Sequence, residues 1–182
     1  MKTLQLWFSE DSSTVKPYME SVIKHTPNIE HYFVGPTSAS VEGQIVLDYQ
    51  TEIDKAYELL GNNDWWNTYC TENMFKAEMI RLSWAIQHQD LLYVDADVEF
   101  LSAPISSVLS DIPIMGRNAG LQEFFLFYVN GNSKWFQELI EYTTSKPIEK
   151  YAFMNTFVEI RREKCLSKPI LWRENTFYKR HR

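Results

Sequence analysis

The N-terminal part of the chain alternates apolar runs with amphipathic stretches. The apolar run Leu4–Phe8 is followed by a polar segment, a pattern that predicts an opening strand and a loop. A helix is predicted over Thr14–His25. Pro17 falls in its first turn, where proline is tolerated, and Pro27 lies just past its end. The same patterns predict a second strand at Ile29–Val34 and a third at Gln44–Tyr49.

The centre of the chain combines an amphipathic stretch with a fully apolar run. Between Glu72 and His88, apolar residues recur at helical spacing, which predicts a helix with one buried stripe. The run Leu91–Val94 follows, and an unbroken apolar run indicates a strand buried on both faces. Helices that alternate with such strands predict a mostly parallel sheet covered by helices. The apolar positions of the helical stripe are Phe75, Met79, Leu82 and Ile86.

Two more strands and two more helices are predicted in the C-terminal part. The strands are Ile112–Met115 and Phe124–Val129. Asn132 or Ser133 can cap a helix, and Ile148–Lys164 is predicted as a last long helix. No repeat or linker interrupts these elements, and 182 residues suffice for one core. We therefore predict a single α/β domain over residues 1–182.

Charge and aromatic content narrow the classes of partner. The net charge of -6 argues against a nucleic-acid-binding protein, because such binding depends on many Lys and Arg residues that neutralise phosphates. The basic end Tyr178–Arg182 can meet an anionic partner or form a solvated tail. Aromatic residues make up 15% of the chain, so stacking surfaces for sugars or bases are expected besides the aromatic residues of the core.

The cysteines and the N-terminus predict a cytoplasmic protein. Cys70 and Cys165 lack the spacing of a metal site, and no secretory leader precedes the first strand. No apolar run approaches the ~20 residues that would span a bilayer, so no transmembrane segment is predicted. The histidines are scattered and the glycines isolated, which argues against a zinc site and against a glycine-rich phosphate loop.

Asp95 and Asp97 are the strongest candidates for chemistry. They come directly after the predicted buried strand, and ligands of open α/β sheets bind at the carboxyl ends of the strands. Two carboxylates one residue apart can approach one hard cation, which also takes oxygen ligands from phosphates. Such a cation offsets the charge of a departing diphosphate. Two aspartates in a turn at the end of a strand are the alternative, since Asp-x-Asp by itself is a common string.

The residues around this pair carry a resemblance to a known family. Lys76–Arg81, the amphipathic helix that contains it and Leu92–Val98 resemble the central block of the DXD-type glycosyltransferases. This family includes the glucosyltransferase domains of large clostridial toxins and the yeast-type α-mannosyltransferases. The resemblance implies a GT-A-like fold, in which a mostly parallel central sheet is flanked by helices.

The same resemblance implies an activity. It is that of a hexosyl- or pentosyltransferase, which moves a sugar from a nucleotide-sugar donor to a glycan or other acceptor with retention of configuration. The donor is a UDP- or GDP-sugar, and Mn²⁺ or Mg²⁺ is held by the DXD motif, Asp95 and Asp97. One alternative is a non-catalytic nucleotide-sugar or glycan-binding module with this fold. Another is transfer of sugar onto modified nucleic acid, suggested by the basic end of the chain.

The resemblance also implies roles for residues outside the motif. In the family, an acid and an arginine three positions later precede the motif, and these positions match Glu78 and Arg81. The acid would contact hydroxyls of the donor and the arginine its sugar or phosphates, whereas an exposed ion pair on one helix face is the alternative.

Trp7 matches an aromatic residue that stacks on the base, although its strand equally suits a core tryptophan. Glu123 falls on the position of an asparagine in the donor site. The candidate catalytic residues are Asp95, Asp97 and Arg81, and the candidate donor-binding residues are Trp7, Glu78, Arg81, Asp95 and Glu123.

Parts of the chain depart from the family pattern. The family usually has aspartate at the position of Glu78 and a Gly-Gly pair before the apolar strand, where this chain has Gln87–Asp90. Near the C-terminus the family has a loop that closes over the donor, and Trp172 or Lys179 would supply the contacts there. A docked terminal strand followed by a frayed tail is the alternative for this segment.

Overall fold

The computed structural model describes most of the chain. It covers residues 1–61, 63–104, 114–118, 121–130, 134–150, 152–153, 170–173 and 178–181, with the backbone alone at 114–118, 121–125, 130 and 170–173. The helices are α1 (Lys16–His25), α2 (Tyr49–Leu60), α3 (Asp64–Tyr69), α4 (Asn73–Gln87) and α5 (Lys134–Thr144). The strands are β1 (Lys2–Leu6), β2 (Glu30–Val34), β3 (Gln44–Leu47), β4 (Asp90–Val94), β5 (Val98–Phe100), β6 (Ile114–Asn118), β7 (Leu121–Asn130), β8 (Ile170–Arg173) and β9 (Tyr178–Arg180).

Seven of the described strands form one sheet in the order β3-β2-β1-β4-β7-β6-β8. β1 runs parallel to β2 and β4, β2 runs parallel to β3, and β6 runs parallel to β8. β7 is antiparallel to both of its neighbours, β4 and β6. The prediction of an α/β fold with a mostly parallel sheet flanked by helices is therefore confirmed. β5 and β9 pair antiparallel in a separate two-stranded sheet.

The central strand β4 sends alternate side chains to opposite faces of the sheet. Leu91 and Tyr93 belong to the larger core, which also contains the buried face of α4. Leu92 and Val94 belong to a second core, which includes residues of α1, β5 and β9. All four side chains are at most 1% exposed, so the prediction of a strand buried on both faces is confirmed.

Helix α4 is buried more widely than an amphipathic surface helix. Phe75, Met79 and Leu82 are buried as predicted, but Ile80 and Trp84 on the opposite side of the helix are buried as well. The reason is that α4 contacts β4 as well as the helices α2 and α5, so more than one of its faces is covered. The prediction of a single buried stripe is wrong in this respect.

The structure corrects the predicted third strand. β3 ends at Leu47, and Tyr49 is the first residue of α2. The Oδ1 atom of Asp48 accepts a hydrogen bond from the backbone N–H of Thr51 at 2.8 Å, which caps the helix and ends the strand. Asn63 caps α3 in the same way. Neither of these two helices is predicted from the hydrophobic pattern, since each begins at a capping residue that this pattern does not show.

The C-terminal predictions fall only partly on described residues. β7 is longer than the predicted strand Phe124–Val129, and β6 continues beyond the predicted Met115 to Asn118. Residues 148–150 are not helical, contrary to the predicted start of the last helix, whereas residues 152–153 are helical. Residues 151 and 154–164 of this prediction lie outside the described part of the chain. The proposed caps Asn132 and Ser133 also lie outside it. Within the described residues, no helix is long and apolar enough to cross a membrane.

Candidate functional site

Asp95 and Asp97 lie on the wall of a cleft at one edge of the sheet. The cleft has a volume of about 290 Å³ and lies where the parallel strands β1 and β4 both end. The segment after β1 supplies Trp7 to the cleft, and one face of α4 supplies Arg81. Because parallel neighbours end at the same edge, residues distant in sequence meet there. The remaining residues that line the cleft are Leu6, Phe8, Ser9, Met74, Ala77, Tyr93 and Ala96.

Three neighbouring side chains hold the carboxylate of Asp95. The hydroxyl of Tyr93 donates a hydrogen bond to its Oδ1 atom, and Arg81 Nη1 lies 3.7 Å from the same oxygen. Arg180 Nη2 lies 3.4 Å from the other oxygen, Oδ2. Burial raises the pKa of Asp95, against the opposing effect of Arg81, and the nearby charge of Asp97 raises it further. The Asp95 side chain is 23% exposed, so it keeps access to the cleft.

The two oxygens of Asp97 have different surroundings. Oδ2 accepts a hydrogen bond from Arg180 Nε at 3.1 Å. Oδ1 is buried and accepts no hydrogen bond from any residue that the structure describes. A buried carboxylate oxygen without a donor is costly in a folded protein, which makes it a suitable ligand for a cation.

The carboxylate pair fits a hard divalent cation by its chemistry. Both side chains offer only oxygen, the ligand that Mg²⁺ and Mn²⁺ prefer. Within the described ranges, no group of three or more His, Cys, Asp or Glu side chains could hold a metal ion. Hard cations of this kind also take oxygen ligands from phosphates and water.

Arg180 and Tyr93 contact the aspartates of this site and are not predicted from the sequence. Arg180 lies in β9, which pairs with β5 in a register that sets Arg180 opposite Val98, directly after the two aspartates. From the sequence, the basic end of the chain is predicted to form a solvated tail or to contact an anionic partner. A loop that closes over the donor and a docked terminal strand are the two structures expected near the C-terminus. Residues 178–180 form the docked strand.

Glu78 lies behind the cleft and does not line it. Its side chain is buried, with 6% exposure, and accepts a hydrogen bond from the hydroxyl of Tyr69. Burial raises the pKa of Glu78, while the charge of Arg81 acts in the opposite direction. The alternative of an exposed ion pair with Arg81 is therefore wrong, because neither side chain is exposed.

Trp7 contributes both to the core and to the cleft. Its half-buried ring packs against a small core cluster that includes Phe33 and Ala96, and its Nε1 atom donates to the carbonyl of Asp11 at 2.9 Å. Trp7 also lines the cleft, together with the aspartates. The backbone of Trp7 lies very close to Gly35, where an added Cβ would be 2.0 Å from the Trp7 carbonyl oxygen.

For two of the three remaining candidates, Glu123, Trp172 and Lys179, the structure gives the backbone position alone. Glu123 lies in β7 and Trp172 in β8, but the side chains of both lie outside what the structure describes. Lys179 lies between Tyr178 and Arg180 in β9 and is exposed. Since side chains alternate along a strand, Lys179 points away from the aspartates that Arg180 contacts.

The mostly parallel sheet flanked by helices is an α/β fold of the GT-A-like type. No family model matches this sequence, and no curated protein matches it. Among solved structures, the chain is similar to the PaToxG glycosyltransferase, with 11% identity and a TM-score of 0.63 over 90% of this chain and 68% of that one. It is also similar to a transferase described as a double cysteine-to-serine mutant, with 9% identity and a TM-score of 0.58 over 88% of this chain and 84% of that one. The resemblance to glycosyltransferases inferred from Lys76–Val98 is thus confirmed at the level of the fold.

Proposed function

We propose that the protein is a metal-dependent glycosyltransferase, which moves a sugar from a UDP- or GDP-sugar to a glycan or other acceptor with retention of configuration. The observation that carries the proposal is the shared cleft of Asp95, Asp97, Arg81 and Trp7 at the end of the central strand. The similarity of the fold to glycosyltransferases supports the same activity.

Each residue of the cleft wall has a role in this proposal. Asp95 and Asp97 would hold Mn²⁺ or Mg²⁺, and Oδ1 of Asp97, which accepts no hydrogen bond from the described residues, is an oxygen that the ion could use. The bound ion supplies positive charge to the diphosphate that leaves. Tyr93 and Arg81 hold Asp95 in position through its Oδ1 atom.

Two further roles concern the donor. Arg81 lies on the cleft wall, where its guanidinium can approach the donor sugar or phosphates. The ring of Trp7 forms a platform on which the base can stack. Glu78 does not line the cleft, so we assign it to the support of the site through Tyr69.

The acceptor must lose a proton during transfer. Among the described residues that line the cleft, the carboxylates are Asp95 and Asp97, and both are assigned to the metal. As the resemblance to this family implies, we propose that the acceptor proton passes to the departing phosphate and not to a basic side chain. The acceptor itself is a glycan or another hydroxyl compound.

Donor hydrolysis is the direct test of this function. The purified protein is incubated with Mn²⁺ and a panel of UDP- and GDP-sugars, and released sugar is measured with and without EDTA. Asp97→Asn should reduce hydrolysis by about 100-fold, the size of effect expected when charge stabilisation in the transition state is lost. The matched control is Asp54→Asn, which removes an exposed aspartate of α2 and should leave hydrolysis unchanged.

One observation favours a second candidate, a non-catalytic nucleotide-sugar or glycan-binding module. Arg180 already lies against both aspartates, so the charge that a metal would supply is partly present in the chain. A binding module predicts that a UDP- or GDP-sugar binds without turnover and that EDTA does not change its affinity. Metal-dependent release of sugar excludes this candidate.

A further inference from the structure

The guanidinium of Arg180 bridges the two aspartates of the candidate metal site. Its Nε lies 3.1 Å from Asp97 Oδ2, and its Nη2 lies 3.4 Å from Asp95 Oδ2. All three side chains are partly buried, with exposures of 16%, 23% and 27% for Arg180, Asp95 and Asp97. Two carboxylates this close to each other repel, and the repulsion is stronger away from water. Arg180 offsets that repulsion.

The backbone of Arg180 is anchored on both sides. Before it, the ring of Tyr178 is fully buried in the core that contains Val98 and Phe100. After it, the backbone N–H of His181 donates to the carbonyl oxygen of Asp97 at 2.8 Å. The position of the guanidinium therefore does not depend on a loose tail.

The imidazole of His181 adds two further contacts to this anchor. It stacks on the ring of Tyr18 with centroids 4.1 Å apart, and its Nε2 lies 2.8 Å from Glu99 Oε2. These contacts tie the last strand to α1 and to β5. As a result, Arg180 is held over the aspartates in the folded protein.

We propose that Arg180 is a built-in counter-cation for Asp95 and Asp97, which competes with the divalent ion and has to turn its guanidinium away when the ion binds. This inference rests on the proposed function, because it takes the aspartate pair as the metal site. While Asp97 Oδ2 and Asp95 Oδ2 contact Arg180, these two oxygens are not fully available to an ion. The protein then binds metal more weakly than the same pair of aspartates would without Arg180.

The first test measures Mn²⁺ affinity without any donor. Free Mn²⁺ is quantified by its electron paramagnetic resonance signal during titration of the wild type, Arg180→Gln and Lys179→Gln at ~0.15 M salt, where long-range charge effects are screened. Arg180→Gln should bind Mn²⁺ about tenfold more tightly, within the 5- to 150-fold range of typical coupling between two ligands.

Lys179→Gln is the matched control. It removes the same charge one residue away, from an exposed side chain on the same strand. Its Mn²⁺ affinity should equal that of the wild type. Equal tightening in both variants would show a general effect of net charge and would overturn the proposal, as would unchanged or weaker binding in Arg180→Gln.

The second test uses thermal unfolding and needs no binding signal. In EDTA, Arg180→Gln should lower the melting temperature, because the two aspartates lose their cation. Saturating Mn²⁺ should raise the melting temperature of Arg180→Gln more than that of the wild type. If Arg180→Gln does not fold, Arg180→Lys replaces it. Lysine keeps the charge but cannot make the bidentate contact, so the changes in melting temperature should be smaller and in the same direction. Equal Mn²⁺ effects on wild type and variant contradict the proposal.

The outcomes separate this inference from the proposed function. If neither the wild type nor Arg180→Gln binds Mn²⁺, in the absence of nucleotide or with UDP or GDP present, the metal site is wrong and both proposals fall. If the wild type binds Mn²⁺ and releases sugar, but Arg180→Gln binds the ion no more tightly, only the role of Arg180 is wrong.

Discussion

The Nε atom of Arg180 lies 3.1 Å from Oδ2 of Asp97, although 83 residues separate the two in the chain. This contact joins the last described strand to the motif on which the proposed activity depends. It follows from the pairing of β9 with β5, which begins directly after Asp97. The C-terminal segment is therefore part of the candidate site.

Binding of the correct donor should stabilise the protein. With Mn²⁺ present, a donor at about 100 times its dissociation constant adds ~2.7 kcal/mol to the free energy of unfolding. For a chain of this size, that corresponds to an increase in melting temperature of roughly 5 to 10 °C. Thermal shift with a panel of UDP- and GDP-sugars measures it, and the increase should disappear in Asp97→Asn. A panel that gives no shift with metal present speaks against the donor assignment.

Loss of the Trp7 ring should weaken nucleotide binding. Stacking of a base on an aromatic side chain contributes about 1 to 3 kcal/mol, so Trp7→Ala should raise the dissociation constants of UDP or GDP roughly tenfold or more. Trp7→Phe keeps an aromatic ring and serves as the control, with a smaller loss. Isothermal titration gives both values. Equal affinity of wild type and Trp7→Ala for both nucleotides would assign Trp7 to the core alone.

A side chain at Gly35 should disturb the cleft through the backbone of Trp7. In Gly35→Ala the new Cβ would lie 2.0 Å from the Trp7 carbonyl oxygen, so the end of β1 must move. Overpacking of this kind costs about 1 to 3 kcal/mol, which urea unfolding can measure. Gly43→Ala is the comparison: its Cβ meets Ile23 at an ordinary 3.6 Å, and only its φ of 90° is unfavourable. Nucleotide affinity should fall in Gly35→Ala and stay unchanged in Gly43→Ala.

Replacement of Glu78 by glutamine should change how stability depends on pH. Burial raises the pKa of Glu78, so the folded state binds this proton more strongly than the unfolded state. The wild type therefore loses stability as pH rises from about 4.3, the ordinary value for glutamate, to the raised pKa. Glutamine does not titrate, so Glu78→Gln does not show this loss. As pH rises through that interval, the variant should become more stable relative to the wild type. Urea unfolding at several pH values measures the difference, and a difference that is constant with pH contradicts the prediction.

The prediction from sequence succeeded where local pattern and burial agree. Leu91–Val94 is apolar throughout because both faces of β4 are covered, and this made the strand and the two aspartates after it recognisable. The pattern failed at Tyr49, where the Asp48 cap decided between strand and helix. A single hydrogen bond from a side chain leaves little trace in hydrophobic periodicity.

The sequence by itself determined the α/β class, the buried central strand and the position of Asp95 and Asp97 at its end, because each depends on neighbours within about 20 residues. Only the tertiary structure decided that Glu78 is buried behind Arg81 and that Arg180 lies against both aspartates. The physical reason is that burial and ion pairing depend on which elements pack together. The pairing of β5 with β9 brings Arg180 to Asp97 across 83 residues, and no spacing in the sequence encodes that distance.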